Sequence, residues 1–282
     1  MLILDLNQIM ISSIISQLGS HTNTPLEEDL VRHMVLNTIR SLKTKFSKYG
    51  ELVIACDDKQ YWRRDFFPYY KGNRKKDREK SDIDWSSLFN VLNKLKEELK
   101  EHFPYRVIQV KGAEADDVIA VLCNEHGVIL NSSRAEQIMI LSGDKDFIQL
   151  QKFANVSQYD PVHKKVITDK DPANYLFELV LKGDRGDGIP NVLSPDHCLV
   201  EGLRQKPLTA KKIQEIKDNI EISFPEHYLR NKNLIDFQHI PDHIEARVLD
   251  EFYLQKNKDR SKLFNYFVNN KLKNLMEHIS EF

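Results

Sequence analysis

Residues 138–147 read Ile-Met-Ile-Leu-Ser-Gly-Asp-Lys-Asp-Phe, an apolar run that ends in a glycine turn and two aspartates. Three other apolar runs also end in acid: residues 2–4 precede Asp5, 53–56 precede Asp57, and 107–110 precede Glu114. A short apolar run closed by a polar turn is typical of a buried strand in a parallel sheet. Because open parallel sheets bind ligands at the carboxyl ends of their strands, we expect these acids to face one crevice.

Carboxylates recur in a fifth segment, residues 183–188, whose Gly-Asp-Arg-Gly-Asp-Gly composition indicates a turn. So many ionised carboxylates in one crevice repel each other unless divalent cations lie among them. Oxygen-only ligands favour Mg²⁺ or Mn²⁺ over zinc, and the ten histidines form no convincing metal set. The candidate metal ligands are Asp5, Asp57, Glu114, Asp116, Asp117, Asp144, Asp146, Asp184 and Asp187.

Each acidic cluster also has a structural interpretation. An aspartate at a strand end is often a helix cap, and turns commonly contain aspartate. Acids in the first turn of a helix are favoured by its dipole, so Asp117 either caps or supports the helix that residues 115–122 predict. The five clusters occurring together, rather than any one of them, favour the metal-site hypothesis.

The composition describes an ordinary globular protein: 282 residues, 41% apolar and 29% charged. No apolar run reaches the roughly 18 to 20 residues of a membrane helix, and the first residues lack a basic region, so we expect neither a membrane span nor a signal peptide. Three widely spaced cysteines are typical of reduced thiols, which favours a cytoplasmic location.

A strongly cationic segment follows Asp57. Residues 59–80 hold nine Lys or Arg against three Asp or Glu, interleaved with tyrosine, tryptophan and phenylalanine. A single nucleic-acid strand can stack its bases on such rings while its phosphates meet the cations, although a solvated or packing role is the alternative. The candidate nucleic-acid-binding residues are Tyr61, Arg63, Arg64, Tyr70, Lys71, Arg74, Lys75 and Lys76.

The order of elements predicts an α/β fold with a parallel-rich central sheet flanked by helices. Strand-like runs alternate with amphipathic segments to about residue 150, and residues 156–159 and 165–168 predict a hairpin at the sheet edge. Beyond residue 170 the pattern changes to short helices. We therefore predict an α/β domain over 1–170 and a helical domain over 171–282. No P-loop, G-x-G-x-x-G or G-x-S-x-G motif indicates ATP, NAD or acyl chemistry.

Five ordered motifs together resemble the 5′-nuclease superfamily, which includes flap endonucleases, the 5′-nuclease domains of bacterial DNA polymerase I and bacteriophage members. They are Tyr-Trp-Arg-Arg-Asp-Phe at 61–66, Tyr-Lys-Gly-Asn-Arg at 70–74, Glu-Ala-Asp-Asp at 114–117, Asp-Lys-Asp-Phe at 144–147 and Lys-Gly-Asp at 182–184. The resemblance implies a PIN-like core, a helical arch over about 59–80, and a C-terminal domain related to helix-three-turn-helix.

The resemblance also implies roles. Residues 1–170 would be a metal-dependent nuclease core and residues 171–282 a duplex-DNA-binding domain. Two Mg²⁺ ions, for which Mn²⁺ substitutes, would be held by the acids above: the first metal position matches Asp5, Asp57, Glu114, Asp116 and Asp144, and the second matches Asp146, Asp184 and Asp187. Lys71 and Arg74 would grip the scissile phosphate and Tyr70 would stack an unpaired base. The implied catalytic residues are Asp5, Asp57, Asp116, Asp144, Lys71 and Arg74.

The implied activity is 5′-to-3′ exonuclease, flap endonuclease and ribonuclease H cleavage that removes primers and flaps during lagging-strand replication and repair. Its substrates would be flapped, nicked or forked duplexes and RNA/DNA hybrids. A single-strand-binding protein and a sliding clamp are possible partners, and we expect a monomer in the host bacterial cytoplasm.

Residues 189–193 depart from the family pattern. They read Ile-Pro-Asn-Val-Leu and lack both later glycines of the duplex anchor, which weakens the expected potassium site. Two other functions stay open: a catalytically inactive structure-specific DNA-binding protein, and a PIN-type ribonuclease.

Overall fold

The computed structural model describes residues 1–18, 27–81, 83–130, 135–219, 225–256 and 258–282. Within them, six strands form one sheet in the order β3-β2-β1-β4-β5-β6, parallel from β3 to β5 and antiparallel at β6. This confirms the α/β class and the edge hairpin. The strands are β1 (Leu2–Asp5), β2 (Leu52–Ala55), β3 (Arg106–Ile108), β4 (Ile138–Leu141), β5 (Val156–Asp160) and β6 (Lys165–Ile167).

Helices cover both faces of the sheet, which explains why the central strands are apolar throughout. The helices are α1 (Leu6–Leu18), α2 (Glu28–Lys45), α3 (Trp62–Phe66), α4 (Arg74–Glu79), α5 (Trp85–His102), α6 (Ala115–His126), α7 (Pro172–Lys182), α8 (Ala210–Asn219), α9 (Tyr228–Ile235), α10 (Asp242–Leu254), α11 (Leu263–Asn269) and α12 (Lys273–Met276).

Alternate residues of β1 point into two separate cores. Leu2 and Leu4 pack with α1, α2, α5, α11 and α12, whereas Ile3 packs with α6 and α10. The two faces are therefore covered partly by the last third of the chain.

The helices after residue 170 do not all pack alike. Val180 of α7 and Leu234 and Ile235 of α9 form a cluster with Phe67 and Tyr70, beside the sheet core. In contrast, α10 to α12 complete the two sheet cores, and Gln255 caps the edge of the sheet by accepting from Val107 N at 3.0 Å and donating to Val107 O at 2.9 Å. The domain boundary at residue 170 stays a prediction.

The strand order places a binding crevice between β1 and β4. The chain runs from β1 outward to β2 and β3 and then returns to β4 on the other side of β1. Ligands of open α/β sheets bind at such a switch point, outside the carboxyl ends of the strands. Asp5 and Asp144 follow these two strands.

No helix in the described ranges is both long enough and apolar enough to cross a membrane.

Candidate active site

A cavity of about 480 Å³ lies at the carboxyl ends of the strands. Its floor holds four of the predicted acids, and its opposite wall is formed by residues around α3 and α4, together with part of α5. The acids are Asp5, Asp57, Asp116 and Asp144, and the cationic side chains on the wall are Lys59, Lys71, Arg74 and Arg78.

Backbone hydrogen bonds fix three of these acids. Asp5 ends β1 and accepts from Gln8 N at 3.0 Å, and Asp57 accepts from Ala115 N at 2.8 Å, which joins the end of β2 to the start of α6. Asp144 caps the short helical segment that follows β4 by accepting from the N–H of Asp146 at 2.9 Å. The carboxylates are thus positioned by the same turns that end the strands.

The four acids Asp5, Asp57, Asp116 and Asp144, here called the open carboxylates, form no ion pair with a lysine or arginine among the described residues. Burial, with added repulsion from Asp57 and Asp144, raises the pKa of Asp5 to about 7. Burial and the charge of Asp144 hold the pKa of Asp116 well above its usual range, and burial also raises the pKa values of Asp57 and Asp144. Within the described ranges none of the four is paired directly with a cation, although the charge of Lys71 opposes burial by lowering the pKa values of Asp57, Asp116 and Asp144.

Three other predicted acids have cationic partners. Glu114, Asp117 and Asp187, here called the paired carboxylates, contact Arg63, Lys71 or Arg74.

Glu114 is only 1% exposed and is saturated by donors. Its Oε1 accepts from Lys71 Nζ, and its Oε2 accepts from Arg63 Nη1 at 3.0 Å. The hydroxyl of Tyr70 lies 2.9 Å from both Glu114 Oε2 and Asp187 Oδ2, and its one proton can be donated to either. In this structure Glu114 accepts hydrogen bonds from Lys71, Arg63 and Tyr70 and does not line the cavity.

Asp187, like Glu114, contacts cationic side chains that line the cavity. Its Oδ1 accepts from Arg74 Nη2 at 2.7 Å, and its Oδ2 lies 3.6 Å from Lys71 Nζ. Burial would raise the pKa of Asp187, but Lys71 and Arg74 outweigh burial, so this pKa is lowered. Burial works to lower the pKa of Lys71, yet Glu114 and Asp187 raise it above its usual range, which keeps the ammonium charged.

Lys71 has a left-handed backbone with φ 53°. Non-glycine residues adopt this conformation at a cost of about 1–3 kcal/mol and persist in it where surrounding contacts hold them. Here the N–H of Lys71 donates to Asp187 O at 2.7 Å, and Gly188, itself at φ 75°, lets the turn approach so closely that a Cβ there would lie 2.9 Å from Tyr69 O. The backbone of the 183–188 turn thereby orients Lys71.

Arg63 is not on the nucleic-acid surface that the sequence predicts for it. It is 3% exposed and donates to Glu114, to Asp117 Oδ1 at 2.7 Å and to Leu234 O at 2.8 Å. Because the guanidinium is buried among these acceptors, the expected contact is corrected to an internal one. Tyr70 is equally buried but lines a basic cavity next to the acidic one, so its expected base stacking stays a prediction.

Asp117 likewise does not face the cavity. It is fully buried, accepts from Trp62 Nε1 at 3.1 Å and from Glu114 N at 2.9 Å, and pairs with Arg63. Asp117 therefore has the capping and supporting role, and the expectation that it binds a metal ion is corrected.

Asp146 and Asp184 lie beside the cavity rather than in its lining. Burial, followed by the charges of Asp144, Asp184 and Asp187, raises the pKa of Asp146 well above its usual range. Asp184 accepts from Gly186 N at 2.6 Å and so closes its own turn. Their part in a second metal position stays a prediction.

The described side chains do not form a closed metal cage. In the described ranges, no three His, Cys, Asp or Glu side chains are arranged to hold one ion. The open carboxylates nevertheless fit a hard divalent cation in two respects: they supply only oxygen, and no direct ion pair with a described lysine or arginine neutralises them. Mg²⁺ commonly keeps several waters and takes only one or two protein carboxylates.

Basic side chains line a second cavity of about 490 Å³ directly next to the acidic one. Tyr61, Lys71, Arg74 and Arg78 belong to both linings, so the α3–α4 segment separates two connected spaces. Arg64 and Lys75 line the second cavity, and Lys76 lines a further basic cavity with Lys80, Arg185 and Arg204. Their contact with nucleic acid stays a prediction.

Asn7, Gln8 and Arg78 line the cavity but were not among the site residues predicted from the sequence. Asn7 donates its side-chain amide to Asp57, and Gln8 accepts from Gly143 N at 2.6 Å, which clamps the turn before Asp144. Arg78 stacks on the ring of Phe89 at 4.7 Å. Asn7 and Gln8 come two and three residues after Asp5, and polar residues this close to a strand-end acid were the available signal.

Comparison with known proteins gives consistent matches. Residues 4–176 match the family described as 5′-3′ exonuclease, N-terminal resolvase-like domain, and residues 173–282 match T4 RNase H, C terminal. The chain is 34% identical to ribonuclease H of Enterobacteria phage T4, covering 99% of this chain and 95% of that protein. It is 28% identical to a 5′-3′ exonuclease of Buchnera aphidicola subsp. Schizaphis graminum, covering 66% and 62%.

A solved structure shares the fold. The flap endonuclease of bacteriophage T5, crystallised in a pseudo-enzyme-product complex with DNA and metal ions, superposes with a TM-score of 0.61 at 18% identity. The match covers 91% of this chain and 99% of that one.

Proposed function

The chain belongs to the 5′-3′ exonuclease family, and on that premise we propose that it is a metal-dependent 5′-nuclease acting in the acidic cavity. It hydrolyses phosphodiester bonds near the 5′ ends of structured nucleic acids. The observation that carries the proposal is the arrangement of the open carboxylates: four acids from separate elements line one cavity without a direct ion pair among the described residues, and lysine and arginine side chains line the same cavity.

The cations of the wall bind and neutralise the phosphate. Lys71 and Arg74 both line the cavity and both are charged. A phosphate placed between them and the open carboxylates would have its developing negative charge offset by preorganised donors, which is commonly the largest single contribution to catalysis. Their pairing with Glu114 and Asp187 fixes their direction before the substrate arrives.

The open carboxylates are the proposed metal ligands. When bound, divalent ions would supply an activated water and stabilise charge on the attacking and leaving oxygens. We propose Mg²⁺ as the physiological ion, two ions as the number, and Mn²⁺ as a substitute. Asn7 and Gln8 orient Asp57 and the turn before Asp144, so the carboxylates keep their positions during turnover.

The connected basic cavity suggests how a single strand is held. Its lining shares four residues with the acidic cavity, so a 5′ strand lying along Arg64 and Lys75 would bring a phosphate to Lys71 and Arg74. We propose flapped, nicked and forked duplexes and RNA/DNA hybrids as substrates, and primer and flap removal in lagging-strand replication and repair as the role.

The setting of that role is also a proposal. The phage relative supports action in an infected bacterium. We propose that the protein acts there in the cytoplasm as a monomer and meets a single-strand-binding protein and a sliding clamp on its substrate. Duplex binding by the segment after residue 170 belongs to the same proposal. The missing glycines at 189–193 argue against a potassium site there.

The test is cleavage of a 5′-labelled flapped duplex in Mg²⁺ and in EDTA. A labelled product of flap length indicates endonuclease action, whereas labelled mono- or short oligonucleotides indicate exonuclease action. Binding without Mg²⁺-dependent cleavage of flap, nick or RNA-primed substrates would contradict the proposal and leave an inactive DNA-binding protein. Equal cleavage of unstructured RNA would favour the PIN-type ribonuclease instead.

A further inference from the structure

Arg63 occupies the centre of a buried network that joins three parts of the molecule. It precedes the cationic wall, and its guanidinium donates to Glu114 and Asp117 at the start of α6 and to the carbonyl of Leu234 in α9. The ring of Trp62 lies 4.5 Å from the guanidinium carbon. A planar guanidinium donates in fixed directions, so these contacts define the relative placement of the parts.

One carboxylate separates Arg63 from Lys71. Glu114 accepts from Lys71 through Oε1 and from Arg63 through Oε2, and at 1% exposure it is shielded from water that could replace either partner. A rotation of Glu114 would therefore move the ammonium of Lys71 within the cavity. Arg63 does not itself line the cavity, and its side-chain hydrogen bonds go to Glu114, Asp117 and Leu234 rather than to an open carboxylate.

We propose that Arg63 is a positioning residue for phosphodiester cleavage, acting through Glu114 on Lys71. This inference rests on the proposed nuclease function. Arg63 holds one oxygen of Glu114, and the other oxygen then presents Lys71 to the substrate. The hydrogen bond from Arg63 to the carbonyl of Leu234 also links the position of Lys71 to α9. Arg63 thus connects Lys71, which is proposed to contact the phosphate, with the segment that is proposed to hold the duplex.

Arg32 provides a matched control elsewhere in the fold. It is also 3% exposed and donates to three carboxylates, Glu28, Asp29 and Glu98, which link α2 to α5. None of these residues lines the acidic cavity. The two arginines are therefore alike in their own exposure and in having three acceptors, although the side chains of two partners of Arg32 are partly or largely exposed and both carboxylates on Arg63 are buried. Of the two, only Arg63 shares a carboxylate with Lys71.

The experiment compares Arg63→Lys with Arg32→Lys, each alone and combined with Lys71→Ala. Thermal unfolding and duplex binding are measured first, followed by the single-turnover cleavage rate of the flapped duplex at saturating enzyme and Mg²⁺. We expect both arginine variants to unfold at lower temperature and to bind duplex, with only Arg63→Lys slowing cleavage, by about tenfold to a hundredfold as for other supporting residues.

The combined variants test the route through Lys71. If Arg63 acts through Lys71, Arg63→Lys will not slow cleavage further in the Lys71→Ala background, because coupled residues are not additive. A full additional loss there, or equal slowing by Arg32→Lys, would overturn the proposal. If Arg63→Lys does not fold, Asp117→Asn loosens the same guanidinium and should show the same lack of additivity. Absence of cleavage by the unaltered protein would instead contradict the nuclease function itself.

Discussion

The open and the paired carboxylates belong to one sequence pattern but have opposite environments. Glu114 and Asp116 are two residues apart at the start of α6, yet Glu114 is paired with Lys71 and Arg63, whereas Asp116 lines the cavity without a direct ion pair to any described side chain. The pKa of Asp187 is lowered by Lys71 and Arg74 after burial has raised it, while burial and neighbouring acids raise the pKa of Asp5 to about 7. Only the open carboxylates need an external cation, and the paired carboxylates aim the protein's own cations.

Neutralising an open carboxylate should have the largest effect on activity if these acids bind the metal. Asp144→Asn keeps the shape of the side chain but removes a charge from the proposed metal site, and we expect cleavage to fall by a factor on the order of 10³. Single-turnover cleavage of a flapped duplex at high Mg²⁺ measures this. Asp250→Asn, an exposed acid of α10, is the control. An unchanged rate in Asp144→Asn would remove Asp144 from the site.

Lys71 tests the function of the paired carboxylates. Lys71→Ala should slow the chemical step by about a hundredfold, because an aligned positive charge is lost from the phosphate. Duplex binding should be retained, since Lys71 is buried at the wall of the cavity and other cations line the neighbouring surface. Anisotropy binding and single-turnover cleavage separate the two effects. A parallel loss of binding and cleavage would show that Lys71 is a general DNA contact.

The open carboxylates also predict how stability depends on pH. The folded-state pKa of Asp5, about 7, lies above its ordinary value of 3.8, so the metal-free folded protein binds more protons than the unfolded chain between these pH values. The contribution of Asp5 to the free energy of unfolding therefore falls as pH rises from about 4 to 7. Mg²⁺, which binds ionised carboxylates, should raise the unfolding temperature by several degrees more at pH 8 than at pH 5.

Thermal unfolding in EDTA and in Mg²⁺ across this pH range checks the prediction, with Asp5→Asn as the variant that should flatten the pH dependence. Equal stabilisation by Mg²⁺ at both pH values would contradict it.

The smallest effect concerns the turn that supports the paired carboxylates. Gly188→Ala should lower the unfolding temperature by a few degrees more than Gly202→Ala. Both glycines have positive φ, so both substitutions cause backbone strain, but only at Gly188 would the new Cβ lie 2.9 Å from a carbonyl oxygen. Equal unfolding temperatures for the two variants would mean that the turn can move away from Tyr69 without cost.

The sequence predicts the sheet well because its strands are buried on both faces. Residues 138–141 coincide with β4, and the run predicted at 107–110 overlaps β3 at Arg106–Ile108. Strand ends then bring Asp5, Asp57 and Asp144 together by topology alone. The strand-end acids that line the cavity were therefore accessible to reasoning from local pattern.

The burial of Arg63 could not be predicted from local pattern. A basic residue among aromatics indicates a nucleic-acid surface, but its acceptors Glu114 and Leu234 lie 51 and 171 residues away. Neither local composition nor helical spacing reports such contacts. The same holds for Gln255, whose side chain completes the edge of the sheet at Val107 from a helix expected to belong to another domain.

The most direct test of the division between open and paired carboxylates uses two neighbouring residues. Bound Mn²⁺ is counted by electron paramagnetic resonance in the unaltered protein, in Asp116→Asn and in Asp117→Asn. We predict that Asp116→Asn loses bound Mn²⁺ and that Asp117→Asn keeps the full number while unfolding at a lower temperature. Loss of Mn²⁺ from Asp117→Asn with an unchanged number in Asp116→Asn would contradict the account.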